Sequence, residues 1–254
     1  RFLNRPDIIE VKRNDGETPQ QFFARTMNSI SQNFSRPPAG TTPARERIAE
    51  SLGRCQGQSM LRYFFGDGQP NGGGMAAKAI TQMLITRPNP AQNPFTFLSC
   101  TNEDSAVEWM KEAEEAAPYC AEFDDYQDEQ QEVLTDQGRA FPFSFGMWLV
   151  GSICAAFNPH DLDALDESAP MTKQTLDNLQ GYQCSPQEYQ YYFDHFLAAQ
   201  QAKPVETALD KLKKDYIPFW KQNFQHFLQA PMAHQIEAVK AYQEAVKQMK
   251  ARGA

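Results

Sequence analysis

The chain has 254 residues, 41% of them hydrophobic and 22% charged, with a formal charge of -8. That composition excludes a disordered, collagenous or fibrous protein. The net negative charge argues against nucleic acid as the main partner, because phosphate contacts need a basic surface. Only 16 residues are Val or Ile, whereas Gln alone supplies 25. Strands favour β-branched residues and helices accept Gln readily. The expected fold is therefore mainly α: an irregular helical N-terminal half with at most a small β element, followed by a C-terminal helical bundle.

In chain order, Thr18-Pro19-Gln20-Gln21 is a capping-box pattern with Pro at the first helical position. Phe23, Met27, Ile30 and Phe34 then recur at helical spacing and read as a core-facing stripe. Thr42-Pro43 starts a second helix, with Ile48, Leu52, Cys55 and Ser59 on one face. Residues 66–74 form a glycine-rich loop, preceded by a possible strand Leu61–Phe65 and followed by a helix from about Met75 to Thr86. Pro94–Leu98 is the best strand candidate. Asn102 is placed to cap a helix whose inner side carries Ala106, Met110, Ala113 and Ala117.

Charge divides the chain. Residues 1–100 carry a net +5, residues 101–138 a net -12, and residues 139–254 a net -1. Such a shift suggests two regions, an Arg-rich region 1–138 ending in an acidic segment and an α-helical region 139–254, with one continuous domain as the alternative. Within the second region, Ser185-Pro186-Gln187-Glu188 is a full capping box ahead of Tyr189, Tyr192, Phe193, Phe196 and Leu197. Further stripes follow at Leu209, Leu212 and Tyr216, at Trp220, Phe224 and Phe227, and at Val239, Tyr242 and Val246. Short proline-containing breaks between them predict antiparallel neighbours.

The uncharged run from Ala140 is the one candidate for membrane contact, through residues 140–157. Its helical part is short for a span, and it reads as a core helix buried on all sides. Five widely spaced cysteines, Cys55, Cys100, Cys120, Cys154 and Cys184, read as reduced thiols in a cytoplasmic setting. The chain starts at Arg1 and not at Met, so an N-terminal segment is expected to have preceded it.

Candidate chemistry is sparse. Gln69-Pro70-Asn71-Gly72-Gly73-Gly74 resembles the Q-x-x-G-x-G loop of the acyl-CoA N-acyltransferase superfamily. That resemblance implies a pyrophosphate held by backbone N–H groups at a helix N-terminus, with Gln69, Gly72 and Gly74 as the binding residues. Gly53 to Ser59, around Cys55, resembles the nucleophile region of some papain-like effector proteases, which would make Cys55 a hydrolase nucleophile. The helix assignment instead puts Cys55 well inside a helix, as a buried thiol. Asp124, Asp125, Asp128, Glu129 and Glu132 do not match the spacing of a hard-cation loop. Asn158-Pro159-His160-Asp161, with Asp163 and Asp166, reads as a helix start and not a metal cluster. Neither a catalytic set nor a cofactor or metal is assigned.

The second half of the acidic segment interleaves carboxylates with aromatics: Glu122, Phe123, Asp124, Asp125, Tyr126, Asp128 and Glu129. That is the composition of a docking strip for a protein partner with a basic surface. The alternative is that Phe123 and Tyr126 pack on the chain's own Arg-rich region. The leading expectation is a non-enzymatic protein–protein interaction module, an adaptor or scaffold component of a larger assembly. The acyl-CoA-dependent enzyme and the cysteine hydrolase are the alternatives.

Overall fold

The computed structural model of the chain describes residues 11–35, 40–54, 57, 59–157, 165, 168–231 and 236–252. Its first helix, α1 (Pro19–Phe34), starts where the capping box predicts: Thr18 Oγ1 accepts from the Gln21 N–H, and the Gln21 side chain accepts from the Thr18 N–H. The stripe on this helix is not core-facing, however. No residue of α1 is buried, and Phe23, Met27, Ile30 and Phe34 are all exposed. Spacing fixes which residues share a helix face; it does not say whether the fold supplies a surface to cover them.

After α2 (Ala44–Gly53) the chain builds a βαβαβ unit from β1 (Arg62–Gly66), α3 (Gly73–Thr86), β2 (Phe95–Ser99), α4 (Asp104–Ala116) and β3 (Cys120–Phe123). The strands are parallel in the order β1-β2-β3, with Gly66 opposite Ser99 and Leu98 opposite Phe123. The two strands legible in the sequence are present; β3, which contains Glu122 and Phe123, was hidden in the acidic segment. α4 starts one residue later than Asn102 implies. Its N-cap position is Glu103, whose N–H is taken by Thr101 Oγ1 at 3.2 Å.

Alternation along the strands sorts their side chains to two faces. Phe64, Phe95, Phe97 and Cys120 join Ile80, Leu84, Val107, Trp109 and Met110 in a core beneath α2, α3 and α4. Ala121 and Phe123 point the other way, into the C-terminal core. Arg87 ties the first core together at the helix ends. Its guanidinium donates to the carbonyls of Leu84, Asn93, Pro118 and Tyr119, so the buried charge is met by four acceptors.

Among the described residues the rest is mainly helical: α5 (Tyr126–Gln137), α6 (Phe145–Cys154), α7 (Lys173–Gln180), α8 (Pro186–Ala202), α9 (Ala208–Asp215), α10 (Ile217–Gln222), α11 (Phe224–Gln229) and α12 (Glu237–Ala251). Tyr189, Tyr192, Phe193, Phe196, Trp220, Phe227, Val239, Tyr242 and Val246 form its packed centre. This core takes in Ala121, Phe123 and Val133, which precede residue 139, so it extends across the composition shift. A buried polar chain crosses it. Tyr192 Oη donates to Gln137 Oε1 and accepts from the Met171 N–H, while Gln137 Nε2 donates to the carbonyls of Leu165 and Ala169.

Candidate interaction surface

α6 is not buried on all sides as its uncharged sequence suggests. Met147, Gly151 and Ser152 turn inward, with Phe123 against Gly151, whereas Phe145 (56% exposed), Leu149, Val150 and Ile153 (47%) face outward. The helix lies over the second face of a narrow sheet and contacts β2, α5 and α7. At its C-terminal end Tyr63 Oη donates to the Ile153 carbonyl at 2.8 Å. This places edge strand β1 beside α6, with Leu61 and Phe65 also exposed. Such a continuous apolar surface is what interaction sites look like on soluble folds.

The acidic segment meets this surface at the other end of α6. Phe123 and Asp124 are buried, so the docking strip is not a row of exposed side chains. Phe123 packs against α6 at Gly151, with Leu98 of β2 opposite it. Asp124 accepts from Lys111 Nζ at 3.1 Å, and its carbonyl accepts from Trp148 Nε1 at 3.1 Å. Burial pulls the Lys111 ammonium down, but the carboxylates of Asp124, Glu122 and Glu132 outweigh it and hold it above the usual lysine range. Glu122 sits in the strand, with its N–H bonded to Glu114 Oε1. Burial, reinforced by the Asp124 carboxylate, pushes its carboxyl up to about 7. Asp125 caps α5 through the N–H groups of Gln127 and Asp128, and Glu129 accepts from the Asp124 N–H.

Tyr126 joins the two parts. Its ring lies 5.4 Å from that of Phe145 and 6.2 Å from that of Trp148, in edge contacts, and is stacked at 6.2 Å on Phe143. Gln130 locks the arrangement by donating to Tyr126 Oη and to the Phe143 carbonyl. The Asp128 carboxyl is raised, by desolvation first and then by the carboxylates of Asp125, Asp124 and Asp104. The Cys100 thiol at the end of β2 is likewise pushed up by burial and by Asp67 and Asp125. An anionic rim thus runs along the carboxyl ends of the strands, from Asp67 past Cys100 to Asp125, Asp128 and Asp104, and borders the aromatic end of α6. Asp67, Asp104 and the exposed face of α6 were not legible as parts of a site.

The glycine loop is held in place and is not a slack connection. Trp109 Nε1 donates to the Gly68 carbonyl, and Asn71 exchanges hydrogen bonds with Thr41 and Thr42. Gly72 (φ +90°) and Gly73 (φ +57°) adopt backbone angles that favour glycine, and space is open in front of Gly73 and Gly74. The first turn of α3 has no side-chain cap. Gln69 turns away to donate to the Ser105 carbonyl, and Asp67 gives the loop the same sign as a phosphate.

Among the described residues no group of three or more His, Cys, Asp or Glu is placed to hold a metal ion. Cys55 and the His160 cluster lie outside the described residues; α2, to which Cys55 was assigned, ends at Gly53. No described helix is long and apolar enough to cross a membrane. Compared with known proteins, the chain matches no family model, no curated protein and no solved structure.

Proposed function

We propose that this chain is a protein–protein interaction module, an adaptor or scaffold component, that docks a basic, amphipathic segment of a partner on the surface formed by α5 and α6. The Tyr126–Phe145 contact carries this reading, because it joins the anionic rim to the exposed apolar face of α6. Apolar area supplies residence time, and the carboxylates speed encounter and reject acidic competitors. The unpaired thiols of Cys100, Cys120, Cys154 and Cys184 fit a reducing, cytoplasmic setting. The test uses a fluorescent Lys/Leu amphipathic helical peptide. Binding should weaken at least tenfold in Leu149→Ser and fall with added salt. Equal binding by wild type and Leu149→Ser would overturn the reading.

The acyl-CoA alternative is favoured by one observation: strand, glycine loop, helix, strand and helix follow in the order that the resemblance implies, with open space at Gly73 and Gly74. Asp67 and the diversion of Gln69 to Ser105 oppose it. Calorimetry with CoA decides: saturable heat that is lost in Gly73→Val supports it, and no heat removes it.

A further inference from the structure

The sheet has two edges, and the fold treats them differently. In a parallel ladder alternate residues of a strand turn their N–H and C=O groups to the neighbour, and those between turn them away. On β3 the Tyr119 carbonyl serves β2 by accepting from the Phe95 N–H, so Glu122 turns outward. Its N–H is taken by Glu114 Oε1 at 2.9 Å, and the chain thus blocks that edge with its own side chain. On β1 the N–H groups of Met60 and Arg62 reach the Gln92 and Pro94 carbonyls, and the Gly66 carbonyl accepts from the Cys100 N–H. The even-numbered residues serve β2, which leaves the backbone groups of Leu61, Tyr63 and Phe65 pointing outward. Among the described residues nothing bonds to them.

We infer that this open edge docks an extended segment of a partner protein, which joins the sheet as a fourth strand outside β1. The edge adjoins the α5–α6 surface, but its argument needs no part of that reading. Native sheets blunt an open edge with charge, proline, a bulge or a covering element. Here the outward positions are Leu61, Tyr63 and Phe65. The one charged residue of the strand, Arg62, is buried on the other face, where its guanidinium donates to Ser51 and Asn93. The outward residues also share one face of the strand, the face on which Tyr63 Oη reaches the Ile153 carbonyl of α6. On it Leu61 is 45% and Phe65 67% exposed. A strand seated at this edge lays every second side chain beside those two.

Charge and backbone chemistry define the occupant. Asp67 follows β1 directly, is exposed, and has no cationic partner among the described residues. The segment therefore carries apolar residues at alternate positions and a Lys or Arg at the end that reaches Asp67. A helix cannot take this place, because its backbone groups are already paired along its own axis. A second copy fits less well: another β1, paired antiparallel about Tyr63, would set Ser59 and not a cation opposite Asp67.

The probe is a fluorescein-labelled peptide, Lys-Val-Thr-Val-Thr-Val-Lys, titrated with the full chain by anisotropy. Lysine at both ends meets Asp67 whichever way the peptide runs. Binding should saturate with a dissociation constant below about 1 mM. Two N-methylated forms, one methylated at the valines and one at the threonines, each remove the donors from one edge of the peptide. One should lose roughly tenfold or more in affinity, and the other should bind as the parent does. Phe65→Pro removes an outward N–H and leaves the β2 ladder intact. It should bind about fivefold more weakly than Phe65→Ala, which removes only the ring. Circular dichroism checks folding, and the methylated peptides decide the matter should the proline variant not fold. Asp67→Asn should weaken binding about threefold at low salt. No saturable binding, equal effects of the two methylations, equal binding by Phe65→Pro and Phe65→Ala, or an unaffected Asp67→Asn overturns the inference. So does a protein that sediments by itself as a dimer and is made monomeric by Phe65→Pro, since a second copy then holds the edge.

Discussion

Tyr192 Oη lies 2.6 Å from Gln137 Oε1, and both residues are fully enclosed in the C-terminal core. The hydroxyl also accepts the Met171 N–H, so one oxygen satisfies two groups from different segments. Tyr192→Phe keeps the ring and removes the oxygen, taking one donor from Gln137 Oε1 and the acceptor from the buried Met171 N–H. The expected loss is about 1–3 kcal/mol in urea unfolding. A loss of under about 0.5 kcal/mol would show that the network does not hold this core together.

Gly138 is a second fixed point. Its φ is +85°, and a Cβ there would lie 2.6 Å from the His195 carbonyl oxygen on α8. Backbone atoms cannot yield as the end of a flexible side chain can. Gly138→Ala should cost roughly 2–4 kcal/mol, combining strain with displacement of α5 from α8. Gly73→Ala, at a positive φ but in open space, should cost only about 1 kcal/mol. Chemical denaturation of the two variants side by side checks the contrast.

Arg87 should prove harder to replace than any exposed arginine. Its removal takes a donor from the carbonyls of Leu84 and Asn93 in a buried site and from those of Pro118 and Tyr119 at its half-buried edge. Arg87→Met preserves much of the stem and should still lower stability by about 3 kcal/mol or more. Arg47→Met, on the surface of α2 beside Glu50, should change it by under about 1 kcal/mol.

Glu122 gives a pH signature with a definite sign. Its folded pKa of about 7 lies above the ordinary 4.5, so the folded state holds the proton more tightly than the unfolded chain. Its contribution is complete below the unfolded value and is lost as pH rises towards 7, an effect of about 1–3 kcal/mol. Glu122→Gln and wild type should therefore be nearly equal in stability at pH 5, with the variant the more stable at pH 8. Groups that titrate alike in both proteins cancel in the difference. A constant difference across that range would contradict the buried, ionisable placement of Glu122.

The helices were legible where caps and stripes agree. Ser185 and Glu188 announce α8, and Tyr189, Tyr192, Phe193 and Phe196 are buried as their spacing requires. Two kinds of information were not legible. β3 is four residues long and carries Glu122 in a buried setting, its N–H bonded to Glu114 and its carboxyl pushed up by burial and Asp124 against the pull of Lys111; that is tertiary context overriding local preference. The exposure of α1 and α6 is likewise a property of what the fold fails to cover. Phe23 and Phe145 are written in the same alphabet as Phe193, and only the arrangement of neighbours separates a core ring from a surface one. At the candidate site, the sequence located the acidic strip but not its shape. Composition cannot distinguish Asp124, buried against Lys111, from Asp128 on the rim.

The sheet separates two cores, and each holds its own indole. Trp109 is packed against Phe64 and Phe97 on one side, and Trp220 against Tyr242 and Phe227 on the other, with Trp148 half-exposed at the Tyr126 contact. These are the chain's three tryptophans, so the protein carries a separate fluorophore in each core and one at its surface. Because β3 contributes Cys120 to one side and Ala121 and Phe123 to the other, neither core can open without disturbing the other's wall. Variants that retain only Trp109 or only Trp220 should report a single shared melting curve, while the emission of Trp148 shifts independently when its surface is covered.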